Sequence, residues 1–322
     1  MILDVDTLLD RRRLRRKLTI WRTLAVVAAV LALGFLLSLG DGRMGLWSED
    51  QIARVSITGT IMEDREQLKM LQNIADADHV QALIVYVNSP GGTTTGGEAL
   101  YDGLRRIAEK KPVVAQFGTV AASAGYIVGL ATDHIVSRGN SITGSVGVIV
   151  QWPEVTELLE KLGVQMNTVK SGRLKAVPNP LTKATPDALA VTTEMVADGF
   201  AWFNGLVEAR RGITIDDVPG LREGRIFSGR QAKQYKLVDA IGGEPEVLQW
   251  LTTERGVSKE LKVVDWKPSQ ANTWGLTSFA SEIARNMALG SAKGLTEALT
   301  SDSTLSLLSL DGLVSVWHPR EN

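Results

Sequence analysis

Ser123 is a residue whose type and position allow covalent chemistry. It lies in the stretch TVAASAGYIVG, residues 119–129, where nearly every other side chain is small or apolar. The preceding VVAQFG predicts a strand that ends near Gly118, and the following residues predict a helix with Ser123 in its first turn. A serine at such a turn can act as a nucleophile. The exposed N–H groups of the first helical turn can stabilise the oxyanion that forms when the serine attacks a carbonyl group. A packing or capping serine is the alternative.

A glycine-rich stretch, VNSPGGTTTGG, follows an earlier predicted strand and opens the next helix at residues 87–97. Glycines at such a place let backbone N–H groups face an anion, and the helix dipole adds a positive bias. The stretch lacks the Gly-Lys-Ser/Thr ending of a phosphate-binding loop and does not match a dinucleotide fingerprint. Its four glycines exceed what a turn needs, which favours an anion or oxyanion site over a plain turn.

A nucleophilic serine requires a base. The chain has three histidines, at positions 79, 134 and 318, and the sequence around none of them indicates a catalytic base. Lys175, in TVKSGRLKAVPNP, has apolar neighbours, two prolines after it and the cation Arg173 nearby. Burial and a neighbouring positive charge both lower the pKa of a lysine toward the range in which it can accept a proton. A lysine on an exposed surface loop is the alternative.

The elements that must position these residues alternate between strands and helices from about Ile52 onward. Strands are predicted by IARVSITGTI, VQALIVYVN, PVVAQFG and HIVS, and helices by DREQLKMLQNIADA, GGEALYDGLRRIAEK, AASAGYIVGLAT and a long segment beginning DALAV. This alternation predicts an α/β fold with a mainly parallel, buried sheet.

Composition excludes several kinds of site. The chain has no cysteine, so disulfides, thiol catalysis and Cys-ligated metals are excluded, and three histidines make a histidine-rich metal site improbable. Lys and Arg number 35 against 36 Asp and Glu, which argues against a general nucleic-acid surface. We therefore predict no cofactor, no metal and no nucleic-acid partner.

The N-terminus predicts a membrane anchor. Residues 1–22 contain seven Lys or Arg against three Asp, and the apolar residues 20–40 would form a helix about 31 Å long, enough for a hydrocarbon core of about 30 Å. The positive-inside rule places residues 1–19 in the cytoplasm and the chain after Gly40 on the far side. A cleavable signal peptide is the alternative, because Ser38 and Gly40 are small residues at the two positions that signal peptidase recognises.

Five motifs together resemble the signal peptide peptidase A, or protease IV, family of membrane-anchored serine peptidases. They occur in order between about Ile52 and Trp250: SPGG, AASAGYIVG, TGSVGVI, KSGRLKAVPNP and GRIFSGRQAKQYKLVDAIGG. The resemblance implies a fold of the ClpP and crotonase type, with repeated ββα units, and a Ser/Lys dyad. By position, Ser123 is then the nucleophile and Lys175 the general base.

The resemblance also leads to further site predictions. The backbone N–H groups of Gly91 or Gly92 and of Ala124 are expected to form the oxyanion hole. Ser145, in TGSVG, either orients the lysine or is a plain turn serine. The expected substrates are leftover signal peptides or other short apolar peptides at the outer face of the bacterial cytoplasmic membrane.

The N-terminal pattern, the resemblance and the C-terminal segment outside it together predict a domain order, and the resemblance also implies an assembly. We predict a basic tail (1–19), a transmembrane anchor (20–40), a linker (41–51), the peptidase domain (52–268) and a C-terminal extension (269–322) with an amphipathic helix and a final strand in DGLVSVWHP. Short, single-copy family members imply a ring-shaped homo-oligomer such as an octamer, with the dyad completed between neighbouring protomers. A crotonase-like acyl-CoA enzyme and a catalytically silent membrane scaffold are the alternative functions.

Overall fold

The structure is a computed structural model that describes residues 17, 18, 20–26, 28, 29 and 49–268, together with the backbone of residues 314–316. By its internal contacts the chain divides into residues 1–49 and residues 50–322. In the first unit, residues 20–26, 28 and 29 are helical and exposed, and the rest of the predicted anchor lies outside the described residues. Among all described residues, no helix combines the length and the apolar character that crossing a membrane requires.

The second unit contains one sheet flanked by helices. The strands are β1 (Gln51–Ile61), β2 (Val80–Thr93), β3 (Val113–Ala122), β4 (His134–Ser137), β5 (Ile142–Gly144), β6 (Ile226–Ser228), β7 (Ala240–Ile241), β8 (Lys262–Trp266) and β9 (Val314–Val316). The helices are α1 (Arg65–Asp76), α2 (Thr94–Ala108), α3 (Ala124–Leu130), α4 (Thr156–Lys161), α5 (Pro186–Arg211), α6 (Gly229–Gln234) and α7 (Glu244–Arg255), with a 3₁₀ turn at Ile215–Asp217.

The sheet order is β6-β5-β3-β2-β1-β8, with β4 and β7 continuing from β3 and with β9 paired to β2. The pairs β1–β2, β2–β3, β3–β4, β3–β5 and β1–β8 are parallel, whereas β5–β6 and β2–β9 are antiparallel. The predicted α/β fold with a mainly parallel sheet is thereby confirmed.

Alternate residues of the central strands enter two separate hydrophobic clusters, one on each face of the sheet. On β2, Leu83 and Val85 belong to the cluster beneath α1, α2, α3 and α5, whereas Ala82 and Ile84 belong to the cluster beneath α7. A strand buried on both faces explains the nearly continuous apolar runs in the sequence.

Two central strands are longer than the sequence predicts. β2 continues through the glycine-rich stretch to Thr93, and β3 continues past Gly118 to Ala122. The register between them shifts after Val87, and there the Oδ1 of Asn88 accepts the N–H groups of Thr119 and Val120 at 3.0 and 3.2 Å. The Asn88 side chain thus supplies hydrogen bonds to β3 where the regular β2–β3 pairing is interrupted. Strand β3 therefore extends further than its apolar pattern indicates. The predicted final strand is confirmed as β9, whereas the predicted amphipathic helix lies outside the described residues.

Candidate active site

Ser123 forms the sharp connection between β3 and α3. Its backbone has φ 56° and ψ −121°, a conformation that costs a residue other than glycine about 1–3 kcal/mol. The Ser123 N–H donates to the Gly144 carbonyl of β5 at 2.9 Å, and the Ser123 carbonyl accepts the N–H of Tyr126 at 2.8 Å. Strand β5 and helix α3 therefore fix this residue from both sides.

The Ser123 side chain is buried but makes no capping bond. The residue occupies the N-cap position of α3, but its side chain caps no backbone amide. It is 1% exposed, and within the described part of the chain its Oγ has no hydrogen-bond partner. Since buried hydroxyls are almost always paired, an unpaired one at a strained turn is a candidate functional group. The geometry excludes the capping alternative.

The glycine-rich stretch lies directly beside this turn. Ser89 pairs with Ala121, the last β2–β3 pair in the ladder. A Cβ on Gly125 would approach the Ser89 carbonyl oxygen to 2.8 Å, so only glycine allows α3 to begin this close to β2. The structure therefore brings together the two segments that the sequence selects.

Two glycines of this stretch have separate backbone roles. Gly91 has φ 129°, and its N–H donates to the buried Oγ of Ser89 at 3.1 Å. A Cβ on Gly92 would lie 1.8 Å from the carbonyl oxygen of Ile61 on β1, so no other residue fits without displacing the backbone.

Thr143 and Asn88 support the site, and sequence reasoning did not select either of them. The Oγ1 of Thr143 on β5, which is fully buried, donates to the Ala121 carbonyl at 2.7 Å, two residues before Ser123. Asn88, in the glycine-rich stretch and three residues before its first glycine, bridges β2 to β3. A polar residue inside an apolar strand is the signal that identifies such positions, because a buried polar side chain needs a partner.

Ser145 lies next to Gly144, whose carbonyl accepts the Ser123 N–H. It has φ 53°, and its own N–H donates to the Arg225 carbonyl at 3.0 Å. The structure thus places Ser145 at the end of β5 beside the nucleophile turn.

Lys175 lies in a different environment from Ser123. It is exposed, and no residue from 149 to 187 is buried. The Arg173 guanidinium, which we expected to act on this lysine, pairs with the Asp187 carboxylate at 2.8 Å. The burial expected for Lys175 is therefore absent from the single chain.

The two histidines in the described region lie far from Ser123 along the strands. His134 pairs with Val114 near the start of β3, so nine residues, or about 30 Å of extended chain, separate it from the strand end at Ser123. Its ring stacks on Trp250 with centroids 4.7 Å apart, and burial lowers its pKa although Asp239 acts in the opposite direction. His79 directly precedes β2, at the same end of the sheet. Neither can serve Ser123 within one chain.

Comparisons with known proteins agree with this geometry. The model of peptidase family S49 matches residues 105–258, and that of Clp protease matches residues 51–139. The chain is 33% identical over 255 residues to a putative protease of Synechocystis sp., which covers 77% of this chain and 90% of that one. It is 31% identical over 286 residues to a putative signal peptide peptidase SppA of Enterococcus faecium, covering 84% and 80% respectively.

The chain belongs to peptidase family S49. Among solved structures it is similar to a ClpP1 mutant of Listeria monocytogenes, with a TM-score of 0.40 and 17% identity over 59% of this chain and 91% of that chain. The family and its signal peptide peptidase relative confirm the resemblance in the motifs, and the match to the Clp protease model supports the ClpP-like α/β fold.

Proposed function

We propose that this S49 peptidase is a membrane-anchored serine endopeptidase that uses Ser123 as nucleophile and Lys175 as general base. The observation that carries the proposal is the buried, unpaired Oγ of Ser123 at a strained turn beside the glycine stretch. The residues around it, Ala121, Ala122, Ala124 and Gly125, are small and buried. Its substrates are leftover signal peptides or other short apolar peptides.

The reaction proceeds by acyl transfer. Neutral Lys175 takes the proton from the Ser123 hydroxyl as Oγ forms a bond to the peptide carbonyl carbon. The C–N bond then breaks, and the lysine gives this proton to the leaving amine. Water then attacks the resulting ester and loses a proton to Lys175. The bond between the acyl carbon and Oγ breaks, the lysine returns this proton to Oγ, and the acid is released, which regenerates the free serine and the neutral lysine.

The oxyanion is stabilised by the N–H groups of Gly92 and Ala124 in this scheme. Ala124 is the first residue of α3, where backbone N–H groups lack intrahelical partners. Gly91 was the other predicted donor, but Ser89 accepts its N–H at 3.1 Å. We therefore favour Gly92 over Gly91. Ser145, adjacent to the turn, is proposed to orient the lysine.

The base is proposed to come from a neighbouring copy of the chain in a ring-shaped homo-oligomer. Monomeric proteins rarely expose many large apolar side chains in one region, and exposed patches of this kind mark interaction surfaces. Residues 149–195 expose eleven of them: Ile149, Leu158, Leu162, Val164, Met166, Val169, Leu174, Leu181, Leu189, Val191 and Met195. Covering this surface with a second copy would bury the segment that carries Lys175, and burial favours the neutral form of a lysine, which can accept a proton.

Residues 20–40 are proposed to anchor the chain in the bacterial cytoplasmic membrane, with residues 1–19 in the cytoplasm. Ile20, Trp21, Leu24 and Val26 expose their apolar side chains in this part of the chain, as a lipid-facing helix requires. External protease added to spheroplasts should digest the peptidase domain, and the chain should stay with the membrane after a high-pH wash. Release into the wash would contradict the anchor.

The dyad is tested with an apolar peptide ester and the variants Ser123→Ala and Lys175→Ala, each purified as the full chain. Each should lose about 10³-fold or more in kcat, because both residues act in the same chemical step. Activity retained by both variants would contradict the dyad. A wild-type chain without activity would favour the catalytically silent scaffold.

Mixed assemblies test whether the site is shared. When Ser123→Ala and Lys175→Ala chains are co-expressed in equal amounts, a ring with a shared site should regain about one quarter of wild-type activity, since each intact residue is present with probability one half. The control is a preparation in which every chain carries both Ser123→Ala and Lys175→Ala. No recovery in a mixture of confirmed mixed composition would show that the dyad lies within one chain.

A further inference from the structure

Ser89 is a buried hydroxyl residue that takes no part in the proposed acyl transfer. It is fully buried and lies on β2 opposite Ala121, in the last residue pair between β2 and β3. A Cβ on Gly125 would lie 3.4 Å from the Ser89 Cβ and 2.8 Å from the Ser89 carbonyl oxygen, so the first turn of α3 packs directly on this serine. The place of Ser89 beside the nucleophile turn is therefore fixed by both β3 and α3.

The Ser89 hydroxyl contacts both polar backbone groups of Gly91. Its Oγ accepts the Gly91 N–H at 3.1 Å, as serine hydroxyls do in turns, and donates to the Gly91 carbonyl oxygen at 3.2 Å. Pro90, between the two residues, restricts its own φ to about −65°. Gly91 has φ 129°, which residues with a side chain rarely adopt. The serine therefore determines how the backbone of Gly91 is turned.

The carbonyl group of Gly91 and the N–H group of Gly92 belong to one peptide unit. A trans peptide unit is planar, and its C=O and N–H bonds point in opposite directions. Because the Ser89 hydroxyl holds the Gly91 carbonyl oxygen, it also sets the direction of the Gly92 N–H. Neither glycine has a side chain that could restrain this plane by packing. The hydroxyl of Ser89 thus supplies a restraint that the two glycines lack.

We propose that Ser89 is a positioning residue for the oxyanion hole, which holds the Gly92 N–H in the direction of the oxyanion that forms at Ser123. This inference rests on the proposed function, because it takes Gly92 and Ala124 as the two donors. Ser89 packs against the first turn of α3, which begins at Ala124, so it fixes the two donors relative to each other. Donors that are held in place before the reaction need no reorganisation when the charge develops.

Ser89→Ala tests the proposal in the full chain, with Ser137→Ala as the matched control. Ser137 on β4 is also fully buried, and its hydroxyl donates to the Arg138 carbonyl at 3.1 Å. Each variant loses one buried hydroxyl, so both should melt at a lower temperature than the wild-type chain. Only Ser89→Ala should reduce kcat for the apolar peptide ester, by about tenfold or more with KM unchanged, because removal of a whole oxyanion donor costs about 10²–10³-fold.

A peptide aldehyde with the acyl sequence of the ester tests the oxyanion hole directly. Ser123 Oγ forms a bond to the aldehyde carbon, the Oγ proton passes to Lys175, and the aldehyde oxygen becomes an oxyanion. The inhibition constant of the aldehyde should rise in Ser89→Ala by about the factor by which kcat falls, because such an analogue uses contacts that are made only in the transition state. The corresponding peptide alcohol forms no oxyanion, so its affinity should stay unchanged.

Ser89→Cys is the second variant, to be used if Ser89→Ala does not fold. It keeps a side chain of similar shape whose thiol forms only weak hydrogen bonds, so it should change kcat and the inhibition constant in the same directions. If the wild-type chain is active and the variants at Ser89 match Ser137→Ala in kcat and in aldehyde affinity, the role of Ser89 is overturned and the proposed function stands. A wild-type chain that neither hydrolyses the ester nor binds the aldehyde would refute the proposed function, and the role of Ser89 with it.

Discussion

Ser123 and Lys175, the two residues of the proposed dyad, lie in regions of opposite character. Ser123 is surrounded by buried residues, and two neighbouring strands, β2 and β5, fix the backbone around it through Ser89, Thr143 and Gly144. Lys175 belongs to residues 149–187, where no side chain is buried and the short helix α4 has no residue in the core. In the single chain, the backbone around Ser123 is thus fixed by buried neighbours, whereas Lys175 has no buried surroundings.

In the proposed dyad, this difference would divide the site between folding and assembly. A strained nucleophile turn persists only where the surrounding structure determines it, and the sheet provides this in each chain. A lysine that must lose its proton needs burial, which residues 149–187 cannot obtain from their own core. Substitutions in the two regions should therefore act differently, the first on the chemical step and the second on assembly.

The largest effect is expected from Gly92→Ala in the buried region. The added Cβ would lie 1.8 Å from the Ile61 carbonyl oxygen, so the backbone of the glycine stretch must move. A displacement of about 1 Å in a catalytic group costs about 10²-fold in rate. We expect kcat for the peptide ester to fall by about that factor or more, while the oligomeric state stays that of the wild-type chain.

Gly205→Ala is the matched control for this substitution. Gly205 lies in α5, and a Cβ there would meet no atom within 4 Å. Alanine in a helix is favoured over glycine by about 0.5–1 kcal/mol, so this variant should melt slightly higher and keep full activity. A fully active Gly92→Ala variant would show that the glycine stretch does not form part of the site.

An intermediate effect is expected from Leu162→Asp/Val169→Asp in the exposed region. Both residues are exposed, so the single chain should fold and melt normally. Charges placed in a covered apolar interface oppose association, and we expect smaller species in sedimentation velocity and about a tenfold loss of activity at low protein concentration, equivalent to about 1.4 kcal/mol.

Gln234→Asp/Gln249→Asp is the control for added charge, because both glutamines are exposed on helices elsewhere, α6 and α7. It should change neither sedimentation nor activity. If the Leu162→Asp/Val169→Asp variant also behaves like the wild-type chain, the exposed segment is not an assembly surface.

The same contrast explains what the sequence could predict. The apolar runs of β1, β2 and β3 predict strands because both faces of the sheet are buried, and the glycine stretch and Ser123 are recognisable by their places at strand ends. The positive φ of Ser123 could not be predicted, because serine has no preference for that conformation. The surroundings of Lys175 could not be predicted either, since its apolar neighbour in the sequence, Leu174, is itself exposed in the structure.

The smallest effect is expected from Thr143→Val, which is nearly isosteric and removes one hydrogen bond behind Ser123. The Ala121 carbonyl would lose the Oγ1 donor at 2.7 Å, and an unsatisfied buried acceptor costs about 1–3 kcal/mol. If Thr143 positions the nucleophile turn, part of this cost should appear as a decrease of roughly threefold to tenfold in kcat, with KM unchanged. Thr143→Ser, which keeps the hydroxyl, should restore kcat even if it restores stability only partly. A lower melting temperature with unchanged kcat would instead show that Thr143 stabilises the sheet without positioning Ser123.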